Sequence, residues 1–409
     1  MTLPTKIMHS ITSGNAPSSL ASGQLAINEK DRKLFYLDPD AAAPKSMLDQ
    51  LAALASTENL WPNAAMEIDQ INAGTAVTGL GPSGPLFTYI VDNAQFFTNS
   101  AAPAARVTGQ QVADAPAGYD YSVKFTVTTA EASLGATDAF GYYFTVEPKV
   151  FTKYAWGTAS ASSIVIGFWV KANRTGAYTV SVQNYAATRT YPVSFTIASS
   201  GVWQYVTAVI PGDTNAAWVG QNPALYIVMA AGSSEINTLN TWAGNGLSAG
   251  TGQINGVAAT TDYMNVTGIM LHKGNIVVPV DRAPYMMPRY DQALQNCLRY
   301  YQKSYDIGTK PGTASNTNGC SVFQMGGMAS AAYAGGASVV VTPKNAVGAL
   351  TTYSPSTGTA GKARDVANAA DVNTTVVNIG ERGFQWQATS SAATTAPQLQ
   401  AHWVYDARL

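Results

Sequence analysis

Residues 164–170, Ile-Val-Ile-Gly-Phe-Trp-Val, form a run of β-branched and aromatic side chains of the kind enriched in β-strands. Similar runs lie on both sides of it, separated by turn clusters such as Asn173-Arg-Thr-Gly176. The other runs are Tyr121–Val127, Tyr178–Val182, Val193–Ile197, Trp203–Ile210, Leu225–Met229 and Met264–His272. Seven strands without an intervening helix predict a jelly-roll β-sandwich over residues 86–283.

The hydrophobic period changes after the sandwich. Apolar residues beyond Pro288 are spaced by 4, 3, 1 and 3 positions, which predicts one apolar face of a helix within residues 284–308. The predicted face consists of Tyr290, Leu294, Cys297, Leu298 and Tyr301. This face can pack on another domain of the same chain or on the same helix of other subunits. Its position between two β domains favours the oligomer contact.

Residues 309–409 are rich in Gly, Ala, Ser and Thr and contain further strand patterns. Strands are predicted at Ser321–Met325, Ala337–Thr342, Thr374–Ile379, Gly383–Gln387 and Leu399–Tyr405. Together they predict a second, smaller β domain. The chain is therefore expected to be all-β, with one amphipathic helix joining the two β domains.

The first 85 residues contain three short features. In Gly23-Gln-Leu-Ala-Ile-Asn28 and Lys33-Leu-Phe-Tyr36 the apolar pairs Leu25/Ile27 and Leu34/Tyr36 lie on either side of the charged cluster Glu29–Lys33, which predicts a β-hairpin. A hairpin this short is marginal alone, so it needs another surface or further copies of itself. A short amphipathic helix is predicted at residues 47–60 and a Gly- and Pro-rich linker at 74–85. We therefore divide this part of the chain into an amino-terminal segment, residues 1–46, and a short helix with a linker, residues 47–85.

Charge is scarce in this sequence. Only 11% of the 409 residues are charged, against roughly 25% in an average soluble domain, while 46% are hydrophobic. Disordered chains combine low hydrophobicity with high net charge, so disorder is not expected. The formal net charge of −1 gives no general attraction to nucleic acid or anionic membranes. Five charges are consecutive at Glu29–Lys33, whereas residues 311–361 contain only Lys344 and residues 383–405 contain none.

No segment has the features of a membrane span or a secretory signal. The longest apolar stretch, Ala224–Ala231, is far shorter than the roughly 20 residues that cross a bilayer, and the first residues lack an apolar signal core. Cys297 and Cys320 are too few for a disulfide framework. Synthesis in a cytosol, with both thiols reduced, is therefore expected.

One sequence pattern suggests catalysis, but its surroundings do not. Gly246-Leu-Ser-Ala-Gly250 fits the G-x-S-x-G nucleophile motif, and Asp262 and His272 follow in the order of an α/β-hydrolase. That motif needs a strand before the serine and a helix after it, whereas this loop lies among predicted strands. We therefore predict no catalytic residues. Metal-ligand motifs are absent and no cofactor is expected, although a calcium ion held by loop carbonyls and one or two Asp side chains stays open.

Aromatic side chains suggest a different function. Tyr and Trp rings stack on the apolar faces of sugars and also supply a polar group. Trp169 and Trp203 lie within strand patterns and are expected in the core. Trp156, Trp218 and Trp242 lie in Gly-, Ala- and Asn-rich segments. These three are the candidates for an exposed sugar-binding platform, with loop packing or a subunit contact as the alternative.

Three groups of phrases resemble one family, the tail fibre and appendage proteins of bacteriophages. The first group is Gly23–Asn28 with Lys33–Tyr36. The second is Phe168–Asn173, Thr175–Ser181, Trp203–Tyr205, Ile210–Thr214 and Trp242–Asn245, and the third is Cys297–Ser304 with Ala401–Leu409. The first group looks like the amino-terminal segment of these proteins. The second resembles their jelly-roll module, which is similar to carbohydrate-binding modules, and the third looks like their helix and last strand. The resemblance covers nearly the whole chain.

The resemblance implies a non-enzymatic virion structural protein made in the host cytoplasm. Such proteins are typically homotrimers that dock to another tail, baseplate or collar protein and attach to host cell-surface polysaccharide. The docking residues it implies are Gly23, Leu25, Ile27, Leu34, Phe35 and Tyr36. Loops of the carboxy-terminal domain are expected to contact the host, and the short segment before the sandwich favours a short fibre. Two alternatives stay open, a collar or decoration fibre without receptor binding and a depolymerase of host polysaccharide.

Overall fold

The structure is a computed structural model that describes residues 7–20, 24–37, 45–46, 59–81, 87–99, 105–324, 334–393 and 398–409. Strands account for 44% and helices for 7% of the structure, which confirms the all-β prediction. Most of the predicted helix at 47–60, the end of the predicted linker at 82–85, and Gly23 lie outside the described residues. Within the described ranges, no helix is long and apolar enough to cross a membrane.

Two six-stranded antiparallel sheets form the predicted sandwich. The order across sheet I is Gln204–Ile210, Ile164–Ala172, Tyr263–Lys273, Ser122–Thr129, Arg106–Val112 and Val77–Leu80. The order across sheet II is Thr190–Ile197, Gly176–Asn184, Pro223–Ala231, Ala139–Thr145, Ala94–Asn99 and Phe87–Val91. Strands that are distant in sequence are neighbours in both sheets, as in a jelly roll.

The core of the sandwich lies between the two sheets. Alternate residues of one strand of sheet I, Ile164, Ile166 and Phe168, are fully buried. Aromatic rings fill the space between the sheets, as where Phe96 and Phe125 meet edge to face with centroids 5.1 Å apart. Full burial of one such side chain is worth roughly 1.5–3 kcal/mol, so this core is the main source of stability for the sandwich.

The carboxy-terminal strands form a third sheet around the last strand, Gln398–Asp406. The second half of this strand pairs with Tyr301–Lys303 on one side and Ala349–Tyr353 on the other. The first half pairs with Ser321–Gln324 and with Lys362–Asp365. The remaining strands of this sheet are Ala370–Gly380, Gly383–Thr389 and Ala334–Val340. All five strands predicted in this part of the chain are present, with shifted ends.

The predicted amino-terminal hairpin is also present. Leu25–Asn28 pairs antiparallel with Lys33–Tyr36, and Ile7–Ser10 adds a parallel strand to its edge. Lys45–Ser46 pairs with the second strand of the hairpin. The extra surface that a marginal hairpin needs therefore comes from the same chain.

Helices and minor elements are short in the described part of the chain. The α-helices are Pro148–Phe151 and Tyr290–Leu298. The 3₁₀ turns are Thr152–Tyr154, Ala216–Trp218, Ser233–Glu235 and Ala283–Met286. A small parallel pair joins Ile236–Asn237 to Ala249–Gly250.

The second helix, Tyr290–Leu298, lies where the sequence predicts it but does not present the predicted face. Tyr301 belongs to the following strand and is 5% exposed, so its assignment to the helix face is wrong. The buried side of the helix consists of Ala293 and Cys297, which pack against Ile68 of the same chain. Leu294 and Leu298 are half-buried and Tyr290 is exposed. The buried side of this helix is thus occupied within one subunit.

Buried cations join the sandwich to the carboxy-terminal domain. The ammonium group of Lys303 donates hydrogen bonds to three carbonyl oxygens, one of them that of Gln70 at 2.8 Å. The guanidinium of Arg408 lies over two rings, 4.1 Å from the centroid of Tyr89 in sheet II and 4.9 Å from that of Tyr301. Because each of these cations contacts groups from both parts of the chain, their hydrogen bonds and cation–π contacts hold the two β domains together.

Candidate functional site

The predicted tryptophan platform does not form. Trp156 and Trp218 are only 5% and 2% exposed, and Trp242 is half-buried against them. The rings meet edge to face, with centroids 4.6 Å apart for Trp156 and Trp218 and 5.3 Å apart for Trp156 and Trp242. The indole N–H groups are used inside the chain, as in the hydrogen bond from Trp218 to Asp213 at 2.9 Å. The exposure predicted for Trp156 and Trp218 is therefore wrong, because their turns fold back onto the sandwich core.

The core positions predicted for Trp169 and Trp203 are wrong in the opposite sense, since both side chains are only half-buried. Phe168 points into the core, so its neighbour Trp169 points outward, because side chains alternate along a strand. Trp203 lies just before its strand, and the ammonium of Lys171 is 5.2 Å from the ring centroid. These two rings therefore lie on the outside of sheet I.

Neither a catalytic triad nor a metal cluster is present among the described residues. Ser248 is buried against sheet II, where its carbonyl accepts a hydrogen bond from Ser181 at 2.7 Å. His272 lies on a strand of sheet I, and Asp262 forms an ion pair with Arg174 at 2.7 Å. Ser248 thus lies against sheet II, whereas Asp262 directly precedes the strand Tyr263–Lys273 of sheet I and His272 lies near its other end. In the same ranges, no group of three or more His, Cys, Asp or Glu side chains is arranged to hold a metal ion.

The outward face of sheet II carries a line of aromatic rings. Tyr143 and Tyr226 are opposite each other on neighbouring strands, with ring centroids 5.1 Å apart. Phe87 flanks Tyr143 at 4.5 Å, and Phe97 flanks Tyr226 at 4.9 Å. The hydroxyl of Tyr185 lies close enough to act electrostatically on both tyrosines. We call these five residues the aromatic strip.

Strand alternation explains why the strip lies outside the core. Within Ala139–Thr145, Tyr142 faces the core, so Tyr143 faces outward. Gly141 leaves the outward side of this strand clear for the ring of Phe97. A Cβ atom at Gly141 would lie 2.8 Å from that ring, closer than real contacts allow. The strand thus supplies one ring to the core between the sheets and another to a second buried cluster on the outer side of sheet II.

Part of the aromatic strip is open to solvent. Tyr185 is 60% exposed and Phe87 is 41% exposed, whereas the neighbouring Tyr143 is buried, at 5% exposure. Burial raises the pKa of Tyr143 to about 12, and the neighbouring Tyr185 hydroxyl adds to the rise. Tyr143 therefore remains a neutral hydrogen-bond donor at physiological pH. The strip combines exposed ring faces with phenolic hydroxyls.

Polar side chains border the aromatic strip. Glu235, which acts electrostatically on Tyr226, is 7% exposed and accepts a hydrogen bond from Asn99 at 3.0 Å. Burial raises the pKa of Glu235. Next to Tyr143, the amide of Asn222 donates a hydrogen bond to the hydroxyl of Thr145 at 2.6 Å. Donors and acceptors are thus held in place at the edges of the strip.

The sequence patterns used for the other strands do not predict the aromatic strip. The strands Phe87–Val91, Ala94–Asn99 and Ala139–Thr145 were not among the predicted ones, since they show no clean alternation of apolar and polar residues. The signal that could have revealed the site is the density of rings in Ala139-Phe-Gly-Tyr-Tyr-Phe-Thr145. A strand with rings on both faces must expose one set of them unless a further layer covers it. Here Ile236 and Ala249 pack on part of the outer set, and the rest stays open.

The implied docking residues lie on the amino-terminal sheet. Phe35 is 7% exposed and packs with Leu20 and Ala26 in a small core of its own. The half-buried residues are Leu25, Ile27, Leu34 and Tyr36. A cavity of about 230 Å³ opens beside them and is lined in part by Met8 and Pro17. This sheet therefore has both its own core and an accessible surface.

Comparison by sequence finds no relative of this chain. No protein-family model matches the sequence, and no curated protein matches it.

Comparison by structure finds distant likenesses. The enzymatically active domain of tailspike protein 4 from bacteriophage CBA120 is 10% identical, with a TM-score of 0.27, over 48% of this chain and 22% of that chain. The CBM22-2 xylan-binding domain of Paenibacillus barcinonensis Xyn10C is 14% identical, with a TM-score of 0.26, over 41% of this chain and 88% of that chain. A family 11 carbohydrate-binding module from Clostridium thermocellum, in complex with a β-1,3-1,4-mixed-linked tetrasaccharide, is 11% identical, with a TM-score of 0.24, over 50% of this chain and 98% of that chain. At these values neither a family nor a function follows for this chain.

Proposed function

We propose that this protein is a non-enzymatic bacteriophage virion appendage whose β-sandwich binds neutral polysaccharide on the host surface. The observation that carries the binding function is the aromatic strip, where the exposed ring of Phe87 packs on the buried Tyr143 and the exposed Tyr185 lies close enough to act electrostatically on it. The identity as a phage tail fibre or collar appendage is supported by the resemblance of the hairpin, sandwich and last-strand phrases to phage fibre proteins.

The chemistry of the strip suits a sugar. Ring faces stack on the apolar faces of pyranoses, and the tyrosine hydroxyls donate to and accept from sugar hydroxyls. Asn99 and Asn222 are already fixed by hydrogen bonds, so little side-chain entropy is lost when a ligand binds beside them. Such a combination of apolar surface with a few oriented polar groups is typical of ligand sites.

The charges near the strip favour an uncharged ligand. The carboxyl group of Glu235 acts on Tyr226, so an acidic sugar would bring a second negative charge next to it. The cation at the end of the strip, Arg408 over the Tyr89 ring, is already paired with Asp406. A neutral polysaccharide avoids the cost of burying unpaired charge.

We propose further that the amino-terminal sheet docks the protein to a tail, baseplate or collar protein and that the chain assembles as a homotrimer. The separate core around Phe35 supports a docking unit that folds independently of the sandwich. Three copies on one particle would combine weak sugar contacts into strong attachment.

Binding to immobilised polysaccharides tests the carbohydrate function. The full-length protein is applied to a mixed-linkage β-glucan, a mannan and a galactan, with polygalacturonate as the anionic comparison. We expect binding to at least one neutral polysaccharide. Tyr185→Ala should weaken it roughly five- to tenfold, because a ring contact is worth on the order of 1 kcal/mol.

Tyr285→Ala is the matched control for this experiment. Tyr285 is 80% exposed and lies on the 3₁₀ turn Ala283–Met286, away from the strip. Binding should be unchanged in this variant. Equal losses in both variants, or no binding by the wild-type protein, would contradict the proposed function. Release of reducing sugar would instead favour the depolymerase alternative.

A further inference from the structure

The outer surface of the carboxy-terminal domain includes a regular polar face. In Gly383–Thr389 the side chains of Phe384 and Trp386 are buried, so Gln385 and Gln387 point outward. Neighbouring strands extend this face on both sides of Gly383–Thr389. We define the polar face by its polar outward residues Ser338, Asn373, Thr375, Gln385, Gln387 and Thr389. Val377, opposite Gln385, and the exposed Val340 lie on the same side of the sheet.

Hydrogen bonds fix one row of the polar face. The amide of Asn378 donates to the carbonyl oxygen of Gln385 at 2.7 Å, and the amide of Gln385 donates to the hydroxyl of Ser338 at 2.9 Å. In the next row, the side chains of Thr375 and Gln387 have no hydrogen-bond partner among the described residues. The face thus combines an ordered row with free donors and acceptors beside it.

The side chains that define the polar face are uncharged, although Lys362 and Asp371 lie beside them. Between residues 334 and 361 the sequence has one charged residue, Lys344, and between 383 and 405 it has none. Lys344 is 2% exposed, and its ammonium donates to Gln302 at 2.8 Å and to a helix carbonyl oxygen, so it does not reach the face. Lys362, bonded to Asn373 at 2.7 Å, marks the boundary of the face.

Two adjoining grooves run over the polar face. One has a volume of about 560 Å³ and is lined by Thr375, Gln387 and Thr389, and also by the charged side chains of Lys362 and Asp371. The second has a volume of about 280 Å³ and is lined by Ser338 and Gln385, and both grooves share Gln387. These volumes lie near the roughly 300–1,000 Å³ that is usual for small-ligand sites.

We propose that the polar face is a second carbohydrate-binding surface, specific for neutral polysaccharide and dependent on hydrogen bonds rather than on stacking. Uncharged amides and hydroxyls match the donors and acceptors of sugar hydroxyls. The two charged side chains that line the larger groove already have partners, since Lys362 donates to Asn373 and Asp371 is paired with Arg364, so a neutral chain leaves no charge unpaired. This inference rests on the proposed function, because it assigns the same ligand class to a second site. It places host contact on a sheet face rather than on the loops expected from the sequence.

The junction between the two domains fixes the position of the polar face relative to the aromatic strip. Lys303 and Arg408 link the carboxy-terminal domain to the sandwich, so the aromatic strip and the polar face keep a fixed relative position. A polysaccharide chain long enough to reach both then meets the second site at high effective concentration. Binding to long chains should therefore exceed binding to short oligosaccharides.

The test uses the full-length protein and the four polysaccharides named above. Gln387→Ala combined with Thr375→Ala removes the free donors and acceptors, and we expect about tenfold weaker binding to the neutral polysaccharide that the wild-type protein prefers. Gln295→Ala removes an exposed amide from the helix and should leave binding unchanged. Because the changed side chains are on the surface, thermal unfolding followed by circular dichroism should be the same for all proteins.

The outcomes separate this inference from the proposed function. If the double variant binds like the wild-type protein while Tyr185→Ala is impaired, the polar face is not a binding surface and the function of the strip stands. If the wild-type protein binds none of the neutral polysaccharides, the proposed function fails and this inference fails with it. Preferential binding to polygalacturonate would overturn the specificity for neutral chains.

Discussion

The carboxyl group of Asp92 is 1% exposed and accepts hydrogen bonds from the backbone and side-chain N–H groups of Gln70, at 3.1 and 2.6 Å. Burial raises its pKa from 3.8 to about 7. Between about pH 4 and pH 7 the folded state therefore keeps a proton that the unfolded chain releases. Since the folded state binds more protons in this window, this group makes the free energy of unfolding decrease as pH rises from about 4 to about 7.

Asp92→Asn should remove this pH dependence, because the amide does not titrate. We expect the free energy of unfolding of the wild-type protein, relative to that of the variant, to be higher at pH 4.5 than at pH 8. Urea denaturation at both pH values measures it. Asp291→Asn, at a carboxyl that is 71% exposed on the helix, serves as the control. An equal stability difference between the wild-type protein and Asp92→Asn at both pH values would contradict the assigned titration.

The tryptophans show that the local sequence does not determine burial. Trp169 lies in a strongly predicted strand yet faces outward, because the direction of alternation is set by the sheet that packs on the other side. Trp156 and Trp218 lie in turns yet are buried, because those turns return to the core. Strand and turn positions could be predicted from residue types, whereas burial depended on contacts between segments distant in sequence.

The strand Ala139–Thr145 connects the stability of the sandwich with the geometry of the candidate site. At Gly141 a Cβ atom would lie 2.3 Å from the carbonyl oxygen of Ile227 and 2.8 Å from the ring of Phe97. Gly141→Ala should therefore lower the free energy of unfolding by about 1–3 kcal/mol, the usual cost of overpacking. It should also weaken polysaccharide binding, because Phe97 must move away from Tyr226.

Gly244→Ala is the matched control, since no atom lies within 4 Å of a Cβ built at that position. Urea denaturation and polysaccharide binding of the two variants measure both effects. Equal stability of Gly141→Ala and Gly244→Ala would show that the strand does not need a glycine beside Phe97.

Elements with strong local patterns could be predicted, and elements defined by distant partners could not. The hairpin of Leu25–Asn28 and Lys33–Tyr36 follows from its alternation and charged turn. Ala349–Tyr353 and Lys362–Asp365 are strands because they pair with Gln398–Asp406, which follows much later in the chain. The helix was predicted correctly, but the surface that covers its buried side comes from a segment more than 200 residues away.

At the scale of the whole molecule, many of the few charges are used internally. Lys303 and Lys344 are buried, at 7% and 2% exposure. Ion pairs with at least one buried partner are Arg174 with Asp262, Arg189 with Asp213, and Arg299 with Glu147. The low charge content of the sequence therefore becomes still lower on parts of the surface.

The amino-terminal sheet should be separable from the rest of the molecule. Deleting residues 1–46 removes the core around Phe35 and leaves the sandwich core intact. We expect the truncated protein to unfold at the same temperature as the sandwich of the full chain but to be absent from assembled virus particles. Calorimetry and protein analysis of purified particles measure the two effects. Normal incorporation of the truncated protein would contradict the docking function of this sheet.

The position of a bound oligosaccharide would show whether the aromatic strip is the sugar-binding site. A crystal structure of the full chain, soaked with oligosaccharide from the polysaccharide that binds best, would locate the sugar. We predict a sugar ring against the exposed side chains of Tyr185 and Phe87, with its hydroxyls bonded to tyrosine hydroxyls of the strip. Electron density for the sugar on another part of the sandwich, or no bound sugar at saturating concentration, would contradict sugar binding by the aromatic strip.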